Sequence, residues 1–96
     1  MTDGLPKLTP EALKMAEIPG RITALRMIKE EPASAYELTQ RMANGAKLNT
    51  VTFYVQSLAI AECIDFWGSE KRRGAVEHFY EITDLGEALL EHLSTI

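Results

Sequence analysis

Between residues 63 and 82 the sequence changes its period. Residues 63–68 and 75–82 are rich in Ile, Phe, Trp, Val and Tyr, and the polar, Gly-bounded segment 69–74 separates them. Two such runs around a glycine-containing turn predict a β-hairpin with Lys71, Arg72 and Arg73 at its tip. The segments on either side carry apolar residues at helical spacing, so the hairpin sits within a chain that is otherwise mainly α.

Local signals place about five helices, with the two-stranded hairpin before the last. Thr9, Pro10 and Glu11 read as N-cap, first-turn proline and dipole-complementing acid of a short helix running to Glu17, ended by Pro19 and Gly20. Ile22, Leu25 and Ile28 form the buried stripe of a second helix that stops before Pro32. Ser34 and Glu37 have capping-box spacing and open a third helix, burying Leu38 and Met42 and ending at Asn44-Gly45. Over 47–61, Val51, Val55 and Leu58 share one face at i, i+4 and i+7, while Asn49, Thr50, Thr52, Phe53 and Gln56 occupy the other. Within the hairpin, Ile64 and Phe66 are expected in the core, with Phe53 and Trp67 turned outward. Thr83 and Asp84 cap a last helix whose stripe is Leu85, Leu89 and Leu93, widened by Leu90 and Ile96.

The chain has 96 residues, 46% of them hydrophobic and 25% charged, which suits one domain with a modest core. It divides into an N-terminal arm and helix (1–18), a central helical unit plus hairpin (19–82) and a C-terminal helix (83–96). Net charge is −4, which counts against binding phosphate or anionic lipid by bulk attraction. The charge is uneven: residues 39–75 hold five bases and three acids, residues 76–96 no base and five acids, and 39–61 no acid at all. Any nucleic-acid function is therefore local. No apolar run is long enough to span a membrane and residues 1–7 lack a signal-peptide core, so a cytoplasmic location is expected.

Cofactor and catalytic chemistry find little support. Cys63 is the only cysteine, so neither an internal disulfide nor a finger-type zinc site can form. Cys63, His78 and His92 are the only soft ligands; Glu91-His92 joining Glu87 across a dimer is a metal-sensing option, set aside because the paired ligands of a metal site are missing. Cys63 lies in an apolar strand start, where a thiol is less reactive, and no glycine-rich loop cradles phosphate. The expectation is no enzyme, no metal and no cofactor.

Two short helices joined by a tight Gly-containing connection make a helix-turn-helix, and the hairpin that follows makes it winged. Pro19-Gly20-Arg21, Ala24-Leu25, residues 34–38, Thr50-Val51-Thr52 and residues 80–86 together resemble the arsenic-repressor-type bacterial winged-helix regulators, over roughly residues 19–90. The resemblance implies that helix 47–61 enters the major groove, that the hairpin is the wing and that the terminal helices form a homodimer. Two departures stand out: Ala61-Glu62-Cys63 replaces a helix-ending glycine, and Phe53 takes an outward position where relatives commonly carry a polar or basic residue.

The expected function is that of a sequence-specific double-stranded DNA-binding transcriptional regulator. Asn49, Thr50, Thr52, Phe53 and Gln56 would meet base edges, since short polar side chains suit the major-groove pattern of donors and acceptors. Lys47, Lys71, Arg72 and Arg73, with Ser34 and Tyr36, would hold the phosphate backbone. Leu5, Leu8, Leu13, Leu89, Leu90, Leu93 and Ile96 would pack across the dimer axis. The alternative is a winged-helix protein-interaction module with little DNA binding, in which Phe53 and Trp67 form an apolar patch for a protein partner; the acidic balance favours it.

Overall fold

The computed structural model describes residues 4–42 and 45–95. Helix α1 (Pro10–Lys14) runs into a 3₁₀ turn (Met15–Glu17), followed by α2 (Pro19–Glu30), β1 (Ala33–Ser34), α3 (Ala35–Arg41), α4 (Leu48–Ile60), β2 (Ile64–Arg72), β3 (Ala75–Ile82) and α5 (Asp84–Ser94). Three of the starts have the side-chain caps expected of them. Thr9 accepts from the Ala12 N–H, Ser34 from Glu37 and Thr83 from Gly86, each satisfying an amide that the helix itself leaves without a partner.

Helices α2, α4 and α5 bury the apolar stripes their spacing predicts. Leu25, Ile28, Leu38, Val51, Leu58 and Leu89 are fully buried in one cluster. The strands form an antiparallel sheet in the order β1-β3-β2. Its outer member β1 was not expected: two residues carry no period, and Ser34 reads in sequence as a cap and a phosphate contact, not as a strand residue. Pairing of Ala33 with Tyr80 and Ser34 with Phe79 anchors the hairpin to the start of α3.

Several sequence expectations need correction. Pro19 both follows the first helical segment and starts α2 at its first turn, where a missing N–H costs nothing. Helix α3 ends at Arg41 with Met42 extended, ahead of the anticipated Asn44-Gly45 cap; Asn44 lies outside the described residues and Gly45 has φ 73°. Phe66 is 53% exposed rather than core. Beyond Ile64 the hairpin leaves the body and buries only Phe79, and a bulge between Phe66 and Gly68 inserts Trp67 as an extra residue. At the hairpin tip Arg73 and Gly74 both have positive φ, 51° and 77°, the conformation of a two-residue type I′ turn.

The exit from α4 shows how the chain manages without the expected glycine. Glu62 has φ 63°, its N–H donates to the Ala59 carbonyl and the Cys63 N–H donates to the Leu58 carbonyl. That is a Schellman turn with glutamate in the left-handed position. Glu62→Gly should therefore stabilise the fold by about 0.5–1 kcal/mol. Thermal unfolding checks this, with an expected Tm rise of about 2–8 °C for a domain of this size.

Burial of Cys63 next to this turn pushes its thiol up from the ordinary 9.0 to about 11. Below pH 9 the thiol keeps its proton in folded and unfolded chains alike. Above it the unfolded chain ionises first, so stability should fall between pH 9 and 11, by about 2–3 kcal/mol at the upper end. Denaturant titrations across that range should show the decline in the natural chain and a shallower one in Cys63→Ala.

Candidate nucleic-acid interface

Residues Asn49, Phe53, Gln56 and Ile60 fall at i, i+4, i+7 and i+11 of α4, on one line along the helix. All four are exposed, Phe53 to 48% and Ile60 to 82%. Lys47, Leu48 and Thr50 are exposed beside the first turn, whereas Thr52 is half-buried at the edge of the stripe. Along this line polar and apolar side chains alternate, Asn49 and Gln56 with Phe53 and Ile60. Ile60 was not singled out from the sequence, although the helical spacing from Asn49 would have found it.

One apolar member of the stripe, Phe53, has a cation beside it. Arg21 of α2 places its guanidinium carbon 5.2 Å from the Phe53 ring centroid, and its Nη1 donates to the Lys14 carbonyl at 3.4 Å. Its Nε is buried without a hydrogen-bond partner among the described residues. Gly20, one residue earlier, lets α2 approach Tyr54 closely: a Cβ there would sit 2.4 Å from the tyrosine ring. These contacts fix α4 against α2 and orient the outward stripe.

The wing tip lies against the start of α3. Arg72 meets the Glu37 carboxylate at 2.8 Å and Glu70 at 3.2 Å, with its guanidinium 4.9 Å from the Phe79 ring centroid. The hydrogen bonds that Arg72 donates to Glu37 and Glu70 raise its pKa further above its ordinary value. Arg73 bonds to Glu77 and lies 3.9 Å over the Tyr36 ring. Arg41 meets Glu37 at 3.4 Å and Glu31 at 3.6 Å. Lys47 and Lys71 are exposed and make no ion pair among the described residues.

Ser34 was expected on the phosphate backbone; it is buried. Its hydroxyl accepts from the Glu37 N–H at 3.1 Å and donates to Glu77 at 2.8 Å. Its placement makes it a cap and a strand anchor. Tyr36 is half-buried beneath Arg73. Glu37 and Glu77, which hold the two wing arginines, were not recognised: Glu37 lies 35 residues from Arg72, and Glu77, only four from Arg73, faces it because of the tight hairpin turn.

Among the residues expected at a dimer interface, Leu89 and Leu90 are buried within the protomer, and Leu8 and Leu93 are partly buried against its core. Helix α5 uses its stripe to close the protomer. Leu13 remains exposed and Leu5 half-exposed, and Ile96 lies outside the described residues. Leu5 borders an open groove of about 840 Å³ between α2 and α5, with Met27, Leu90 and Glu91 also on its walls. No helix among the described residues is long and apolar enough to cross a membrane.

The chain matches no family model and no curated protein. Among solved structures it is similar to smu.1704 from Streptococcus mutans UA159, with a TM-score of 0.66 and 20% identity, covering 88% of this chain and 76% of that one. It is likewise similar to a PadR family transcription regulator from Clostridium difficile R20291, with a TM-score of 0.65 and 16% identity, covering 79% of this chain and 83% of that one. The architecture is a winged helix: among the described residues, five α-helices with a three-stranded antiparallel sheet.

Proposed function

We propose that this chain is a transcription regulator that binds double-stranded DNA, with α4 in the major groove and the β2–β3 wing along the neighbouring backbone. The observation that carries the reading is the acid-free outer surface of α4, where the hydrogen-bonding side chains of Lys47, Asn49, Thr50 and Gln56 are exposed together. The N-terminal part of a recognition helix is the part that reaches base edges in helix-turn-helix proteins. Thr52 and Phe53 complete the base-facing set, and Lys47 and Lys71 supply phosphate contacts. Similarity to a named transcription regulator supports the same assignment, and the motif residues add the narrower resemblance to the arsenic-repressor type.

The regulator acts as a homodimer in the cytoplasm. With Leu89 and Leu90 buried in the protomer, Leu5, Leu13 and the rim of Leu93 are the apolar groups left for a second copy. A dimer presents two copies of α4 to half-sites one helical turn apart. Light scattering at tens of micromolar should give twice the chain mass; a monomer would remove the dimer from the proposal.

A second reading is favoured by one group of residues. Phe53, Ile60 and Trp67 are about half or more exposed, and the wing arginines are already paired, so this fold could instead capture a protein through its apolar surface. Fluorescence anisotropy with duplexes from around the protein's own coding region separates the two. DNA binding should weaken linearly in log–log form as salt rises from 50 to 200 mM, because phosphate contacts release counterions. Absence of duplex binding even at 50 mM would favour the protein-interaction module.

A further inference from the structure

Three arginines, Arg41, Arg72 and Arg73, line a cleft of about 330 Å³ between α3 and the wing, together with Tyr36, Glu37 and Gln40. Each of the three is satisfied from within the chain. Glu37 stands between two of them, with one carboxylate oxygen 2.8 Å from Arg72 Nη1 and the other 3.4 Å from Arg41 Nη2. Glu77 takes the third while accepting from Ser34. The two carboxylates differ in burial. The Glu77 side chain is 10% exposed and built into the β1–β3 junction, whereas the Glu37 side chain is 23% exposed and its arginines are about one-third exposed.

A carboxylate bridging two guanidinium groups offers them what a backbone phosphate would offer: paired anionic oxygens at hydrogen-bonding distance. We propose that Glu37 is an internal stand-in for a DNA phosphate, holding Arg72 and Arg41 in a closed clamp that a duplex opens by exchanging its own phosphate for the carboxylate. This rests on the DNA-binding reading above. The clamp lowers affinity for any duplex, leaving weak non-specific binding to a chain that is already net acidic, and gives the groove contacts of α4 a larger share of the discrimination. Glu77 is the fixed partner that keeps Arg73 folded over Tyr36 while the clamp opens.

Glu37→Gln tests the clamp, because glutamine retains the shape, and the backbone N–H that donates to the Ser34 cap, while removing the charge. For a non-cognate duplex in about 0.1 M salt, the variant should bind about three- to tenfold tighter than the natural chain. Its log–log salt slope should steepen by about one per protomer. Glu91→Gln, on α5, measures the general effect of removing one acid and should give less than twofold. In an Arg72→Ala background the gain from Glu37→Gln should shrink by more than half. A second arm uses inorganic pyrophosphate alone, followed through the arginine side-chain NMR signals, where Glu37→Gln should again bind more tightly. Equal gains from Glu37→Gln and Glu91→Gln, or no gain with pyrophosphate, would overturn the clamp. A pyrophosphate gain without binding of any duplex by either protein would keep the clamp and overturn the DNA-binding reading.

Discussion

Gly86→Ala should cost the protein about 3 kcal/mol of stability and lower Tm by roughly 12–24 °C, the largest effect expected of any single methyl group in this chain. A Cβ at this position would lie 2.2 Å from the Cys63 carbonyl oxygen and 2.8 Å from Ile82 Cγ1. The Cys63 carbonyl cannot yield. The Cys63 carbonyl accepts from the Thr83 N–H at 3.1 Å, and the Cys63 N–H closes the Schellman turn that ends α4. The Thr83 hydroxyl donates to the Glu62 carbonyl at 2.7 Å and accepts from the Gly86 N–H at 3.1 Å. One added methyl therefore forces apart the exit of α4, the end of β3 and the entry of α5. Gly68→Ala, whose Cβ would meet nothing within 4 Å, should stay within about 0.5 kcal/mol of the natural chain. Differential scanning calorimetry of the two variants decides it, and a Gly86→Ala protein melting within a few degrees of the natural one would show that this joint is far softer than its hydrogen bonds indicate.

The second large effect concerns recognition. Asn49→Ala and Gln56→Ala should each cost about 1–3 kcal/mol on the preferred duplex, roughly five- to 150-fold in Kd, and should change which base pair is preferred at one position each. Binding to unrelated duplexes should hardly change, because neither residue carries charge and non-specific affinity comes from phosphate contacts. Phe53→Ala should alter DNA affinity modestly, whereas in a protein-interaction module it would abolish partner capture. Selection from a randomised duplex pool, repeated with each variant, reads both quantities. If both variants selected the same site with the natural affinity, base reading would have to move away from the outward stripe of α4.

The elements visible in the sequence were those with a period or a cap. Val51, Val55 and Leu58 mark the inner face of α4, and Thr9, Ser34 and Thr83 mark three helix starts, because a stripe or a cap is a local arrangement of residues three or four apart. The hairpin was legible from its aromatic and β-branched runs. What escaped depends on contacts between distant parts of the chain. β1 exists only because Ala33 and Ser34 pair with Tyr80 and Phe79; Arg72 meets Glu37 only because folding brings α3 beside the wing. Phe66 has core composition but stands on a wing that projects from the body, and Leu90 has interface composition but is consumed by its own protomer. In the candidate interface, the residue types on α4 were readable from spacing, while the electrostatic state of the wing was not, since a basic tripeptide looks the same whether its partners are phosphates or carboxylates.

Reading of bases by the outward stripe of α4 is tested by binding to a selected duplex in which purine N7 atoms are replaced by CH one position at a time. That change removes a major-groove acceptor and leaves the phosphates and the minor groove unaltered. The natural chain should lose affinity at a few positions, by about 1–3 kcal/mol each, and Asn49→Ala or Gln56→Ala should be insensitive to the change at the position its own side chain reads. Tight, salt-dependent binding that no N7 replacement weakens would contradict it.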